Sequence, residues 1–134
     1  MAALGTVAQA SLLNWMLGGA TVAANTITGT AYVEVSAGSP TSVSNSPIPT
    51  ATIASRQQAS FGSVAAGGSA SNSLAMTFSA ISGCTVSGLT IQNASGTQGA
   101  AATMWAYGLL ATARTLGAGD SLVFAVGSCV VTLA

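Results

Sequence analysis

The chain has very little charge. Only 3% of its 134 residues are charged, and histidine is absent. An ordinary soluble domain is about a quarter charged. The charged side chains are Glu34, Arg56, Arg114 and Asp120. Nucleic acid is excluded as a partner, because neutralising phosphates requires clustered Lys or Arg. A surface so close to neutral favours association, which is typical of a subunit that works among partners.

The chain also lacks the parts of an enzyme. A serine nucleophile needs a base, and with no His or Lys the only candidates are Glu34 and Asp120, which lie on different segments. A glycosidase pair is rejected, because Glu34 lies in a predicted strand and Asp120 in a tight turn whose backbone it caps. Glycine-rich phosphate-binding motifs are absent. The sequence therefore predicts no catalytic residue, no cofactor and no small-molecule substrate.

Cysteine is scarce. Cys84 and Cys129 allow one internal bridge at most and exclude a disulfide framework. We expect two reduced, buried thiols. Neither has a His or acidic cluster nearby, so the sequence predicts no metal site.

Long apolar runs are missing as well. The longest, residues 99–113, is shorter than the roughly 20 residues that span a bilayer. The N-terminus has no basic region of the kind that a secretory signal requires. We therefore predict neither a membrane partner nor a cleaved leader.

What is present begins with a helical pattern. Apolar residues recur every three to four positions over residues 7–17 and stop at Gly18-Gly19. The apolar face contains Leu12, Trp15 and Met16. We expect this face either to cover an open end of the domain or to dock on a neighbouring subunit.

Beyond the helix the apolar period changes to two, which predicts strands. In residues 30–35 it places Val33 and Val35 on one side and Glu34 on the other. Residues 71–78 alternate with Leu74, Met76 and Phe78 inward, and Gly88 predicts a bulge within residues 85–91. The other predicted strands are residues 54–61, residues 103–111 with Trp105, Tyr107 and Leu109 on one face, and a C-terminal hairpin of residues 121–126 and 129–133 around Gly127-Ser128.

Strands at this spacing predict a mainly β fold. We expect an antiparallel, jelly-roll-like β-sandwich with one short N-terminal helix. The length fits a single domain over residues 1–134, with a helical segment at 1–19 and the sandwich at 25–134.

Two features are candidate interfaces. The first is the segment of residues 36–50, which holds Pro40, Pro47 and Pro49 and is either a surface connection or a loop that contacts a neighbour. The second is the pair of arginines. Arg56 and Arg114 either face solvent or pair with a carboxylate or carbonyls, within the chain or on another subunit. Glu34 or Asp120 could supply the carboxylate.

The order of features resembles a group of small tailed-bacteriophage virion proteins, labelled head-decoration or tail-fibre-like. The resemblance runs through nine-tenths of the chain. Its segments are residues 11–17, Tyr32-Val33-Glu34-Val35, residues 37–46, Arg56 with Phe61, Gly67-Gly68-Ser69-Ala70-Ser71-Asn72 before Met76-Thr77-Phe78, residues 86–91, Tyr107-Gly108-Leu109, Gly119-Asp120, Phe124, Gly127 and Val131-Thr132-Leu133.

The resemblance implies a virion protein assembled in the bacterial cytoplasm. The leading expectation is a capsid decoration protein that binds the major capsid protein and copies of itself and stabilises the shell. The alternative is a tail, fibre or baseplate component involved in host attachment, for which Trp105 and Tyr107 are the candidate sugar-stacking pair, although core packing is the simpler interpretation. A non-viral surface adhesin is a third possibility.

Overall fold

The computed structural model describes residues 2–4, 30–62 and 69–132. The predicted helix over residues 7–17, with Leu12, Trp15 and Met16, lies outside these ranges. The described residues form nine strands and no helix. These strands are β1 (Ala2–Leu4), β2 (Ala31–Ser36), β3 (Gln57–Ala59), β4 (Ser69–Ser71), β5 (Met76–Ser79), β6 (Cys84–Gln92), β7 (Met104–Leu116), β8 (Ser121–Phe124) and β9 (Val130–Thr132).

The strands form two sheets. The larger has the order β3-β2-β6-β7-β1-β9-β4, and the smaller is the pair β5-β8. All pairings are antiparallel except the contact between β1 and β9, which is parallel. The expectation of a mainly β protein with antiparallel sheets is confirmed.

The core is built from side chains of both sheets. Val33 and Val35 of β2 are fully buried, as the alternation predicts. The smaller sheet contributes Met76, Phe78 and Phe124 to the same apolar cluster. The rings of Phe78 and Phe124 meet edge to face at 6.0 Å, an arrangement that aromatic pairs favour.

The bulge predicted at Gly88 is confirmed. The register between β6 and β7 shifts between Val86 and Gly88, where Val86 pairs with Arg114 but Gly88 pairs with Leu109. Residues 110–113 of β7 therefore lie opposite Ser87 alone, so β7 has three extra residues at this point of the ladder. Gly88 is required for close approach, because a Cβ there would lie 2.7 Å from Cδ of Pro40.

The prediction of one continuous strand over residues 71–78 is wrong. It divides into β4 and β5, which join different sheets. The break falls at Asn72, whose side-chain amide donates to the carbonyls of Leu74 and Ala125. Leu74, expected inward, is 62% exposed. The hydrogen bonds that the Asn72 side chain donates, one to nearby Leu74 and one to distant Ala125, override the apolar alternation here.

The predicted C-terminal hairpin is also wrong. Gly127 does adopt a positive φ of 79°, as the turn requires. However, β8 pairs with β5, whereas β9 pairs with β4 and β1. The turn at Gly127-Ser128 therefore carries the chain from one sheet to the other.

Two other strands differ in length from expectation. The strand expected over residues 54–61 is reduced to β3, and the strand expected over residues 103–111 continues to Leu116. Trp105 and Tyr107 are half-buried, with Trp105 packed against the core, but Leu109 is exposed. Leu109 pairs with Gly88 at the border of the register shift.

Candidate interaction surface

A buried ion pair fixes the loops beside β2. The side chains of Glu34 and Arg56 are each 1% exposed, and both Nε and Nη2 of Arg56 lie 2.8 Å from Oε2 of Glu34. Of the alternatives for Arg56, pairing with Glu34 within the chain is the one observed. The structure thus places this candidate interface residue in the interior.

Further donors complete the coordination of the Glu34 carboxylate. The backbone N–H of Gly99 donates to Oε2 at 2.8 Å, and the side-chain amide of Asn45 donates to Oε1. On the other side of the pair, Arg56 donates to the carbonyls of Ala94 and Ala100. Among the described residues no buried side-chain polar atom lacks a partner. Because every charge-bearing atom is satisfied, the pair can stay ionised without water.

Gln98 extends this polar network. Its side-chain amide donates to the carbonyl of Ser55 at 3.1 Å, and its Oε1 accepts from the N–H of Val35 at 3.3 Å. The backbone N–H of Arg56 donates to the carbonyl of Gly96. These bonds tie the segment of residues 93–103 to β2 and to the chain before β3. The segment thereby covers the second face of β2. Alternation alone could not predict this cover, because it assigns Glu34 to solvent.

The proline segment of residues 36–50 folds back onto the sheet rather than extending from it. Pro40 is buried against Gly88, and Pro47 is half-buried against Gly99, whose φ is +72°. Pro49 is exposed, as is Val43 at the tip. Of the three candidate prolines, only Pro49 is therefore exposed enough to contact a neighbour.

A corner centred on Asn72 joins the two sheets at one end. Asn72 is buried, and its Oδ1 accepts from the N–H of Cys129 at 2.8 Å, in addition to its two amide donations. The backbone of Asn72 exchanges further bonds with Cys129 and Gly127. The aliphatic side chains exposed around this corner are Leu74, Val126 and Val130. The corner therefore has three exposed aliphatic side chains near it.

A second surface lies where β7 passes into β8. Arg114 on β7 and Asp120 in the following turn are both exposed. Asp120 caps the turn as expected, with Oδ2 accepting from the N–H of Gly117 at 2.7 Å. Arg114 has no ion-pair partner within the part of the chain that the structure describes.

The sequence pattern missed Asn45, Asn72 and Gln98, the polar side chains that organise these loops. Their bonds join residues far apart in sequence, such as Asn72 with Ala125 and Gln98 with Ser55, so no local spacing marks them.

The described residues contain no group of three or more His, Cys, Asp or Glu able to hold a metal ion. Cys84 and Cys129 are free thiols, and burial raises the pKa of each. The described residues include no helix long and apolar enough to cross a membrane. Chemically, the exposed surfaces offer apolar contact, backbone hydrogen bonds and two isolated charges.

The comparison with known families gives one match through nearly the whole chain. A family model described as podophage GP4 fiber I protein gp80 matches residues 3–132. No curated protein matches the chain.

Proposed function

Because the chain belongs to the podophage GP4 fiber I protein gp80 family, we propose that it is a structural component of a podophage tail fibre. A small tailed-phage virion structural protein was expected from the sequence resemblance, and the family confirms that expectation. The capsid decoration function predicted as the leading one has no support, since the family is named for a fibre. The fibre alternative fits better.

The match over residues 3–132 is the observation that carries this proposal. The structure supports it through the nature of the exposed surface. Exposed aliphatic side chains occur on several elements, including Val43, Leu109 and Val123, and formal charge is scarce. Such surfaces suit close, permanent contact between the subunits of an assembly.

The two sheets support a sandwich as the finer description of the fold. The inward side chains of β5 and β8 pack in one core with those of β2 and β6. We propose that the sandwich is the rigid body of the fibre subunit, with the loops beside β2 held by the Glu34–Arg56 pair.

The proposed role is structural rather than enzymatic. The Glu34 carboxylate is fully engaged by Arg56, Gly99 and Asn45, and Asp120 is engaged in its turn. Neither carboxylate is positioned beside the other for acid–base chemistry. In this proposal the fibre contributes to host attachment and contains copies of this same chain, and its assembly takes place in the host cytoplasm. The major capsid protein was predicted as a partner only with the decoration function and is not part of the proposal.

Gold-labelled antibodies against the chain test the proposal on intact particles. We expect label on the fibres of the tail and adsorption to host cells reduced by the same antibodies. Label distributed over the head, with adsorption unchanged, would contradict it.

A further inference from the structure

The charge left on the surface is one cation and one anion. The chain has four charged side chains, and Glu34 and Arg56 neutralise each other in the interior. Only Arg114 and Asp120 remain, and both are exposed. They lie on the two sides of the connection from β7 to β8, and no ion pair joins them within the chain.

Each charge has uncharged, exposed neighbours. Arg114 follows residues 110–113, which the register shift displaces from the ladder, and Leu109 before them is 55% exposed. The turn that contains Asp120 forms two backbone hydrogen bonds with Ala80. The residue after Ala80 is Ile81, which is 61% exposed.

We propose that this surface binds a second copy of the chain, with Arg114 of one copy paired to Asp120 of the other. The inference rests on the proposed fibre function, in which copies of the chain assemble. Each copy carries both charges, so a closed symmetric contact satisfies all of them. The occupant is a second copy because the surface is complementary to itself in charge.

The pair of Arg114 and Asp120 determines how the two copies align more than how tightly they bind. An exposed ion pair contributes little in water. When the apolar neighbours of Arg114 and Asp120 come together, both charges lose water, and an unpaired charge in that contact is strongly disfavoured. Misaligned contacts are therefore rejected, while the apolar area around Leu109 and Ile81 supplies the attraction.

Charge reversal on the full-length chain tests the proposal by sedimentation equilibrium. We expect Arg114→Asp and Asp120→Arg each to weaken self-association by roughly tenfold or more. An equimolar mixture of the two variants restores association, since each supplies the charge that the other lacks. The double variant R114D/D120R restores it as well.

Asp120→Arg also removes the turn cap at Gly117, so folding is checked by circular dichroism. If that variant fails to fold, Asp120→Asn keeps an acceptor oxygen and removes only the charge, and it must weaken association as Arg114→Asp does. The proposal would be overturned if Arg114→Asp associated as strongly as the wild-type chain. It would also be overturned if Arg114→Asp and Asp120→Arg both folded but their mixture did not associate. A wild-type chain that stays monomeric would also overturn it, whereas the gold-labelling experiment decides the fibre function independently.

Discussion

Arg56 donates from Nε to Oε2 of Glu34 at 2.8 Å, and its Nη2 lies 2.8 Å from the same oxygen, with both side chains out of contact with water. The other carboxylate oxygen accepts from Asn45. The pair joins β2 to the loops that cover its second face. In a chain with so few charges, half of them are therefore used to organise the interior.

Replacing Arg56 leaves the Glu34 charge buried without compensation. We expect Arg56→Met to lower the free energy of unfolding by about 3–5 kcal/mol. Arg114→Met is the matched control, because it makes the same change at an exposed site and should alter stability by no more than about 0.5 kcal/mol. Urea denaturation of dilute protein measures both. Equal losses in the two variants would show that the buried pair has no special role.

Asn72→Ala removes the side chain that holds the corner between the sheets. The N–H of Cys129 loses its partner, and the carbonyl of Ala125 loses one of its donors. We expect a cost of about 1–3 kcal/mol, mainly for the N–H left unsatisfied. Asn93→Ala is the control, since the Asn93 side chain accepts from Thr103 at an exposed site. Thermal unfolding should separate the two variants clearly. If Asn93→Ala is the more damaging, the corner is not the structural element described.

Gly88→Ala tests the packing of the proline segment on the sheet. The added Cβ would lie 2.7 Å from Cδ of Pro40 and 2.9 Å from the carbonyl oxygen of Gly108. We expect a loss of about 1–3 kcal/mol from overpacking. At Gly62 an added Cβ meets nothing closer than 3.8 Å, so Gly62→Ala should be tolerated. Adding Pro40→Ala should recover part of the loss, and no recovery would mean that Pro40 does not pack on Gly88.

The two thiols should react at different rates. Burial raises the pKa of both, and Cys129 is buried whereas Cys84 is half-buried. Because the thiolate is the reactive form, Cys129 should remain protonated and unlabelled at a pH where an exposed thiol already reacts. Mass measurement after alkylation of the native protein should show one rapid label on Cys84. Both should be labelled after denaturation, and a denatured protein that takes no label would reveal a disulfide.

The sequence predicts the parts of the fold that depend on nearest neighbours. The burial of Val33 and Val35, the bulge at Gly88 and the turn cap of Asp120 follow from alternation and from the properties of single residues. The sequence also offered Glu34 as one of two possible partners for Arg56, because so few carboxylates were available.

The parts that could not be predicted depend on contacts between distant segments. Leu74 fits the alternation of its strand, yet the side chain of Asn72 turns the chain toward Ala125, far along the sequence. The turn at Gly127-Ser128 has the right conformation for a hairpin, but strand pairing is decided by β4 and β5, not by the turn. The burial of Glu34 likewise depends on loops that no local pattern assigns to β2.

A cryo-EM reconstruction of the intact particle tests the central claim most directly, by showing where this chain lies. The account predicts that the two sheets, of seven and two strands, fit density in the fibres of the tail, with neighbouring copies in contact. Density for this fold repeated over the capsid shell, and absent from the tail, would contradict it.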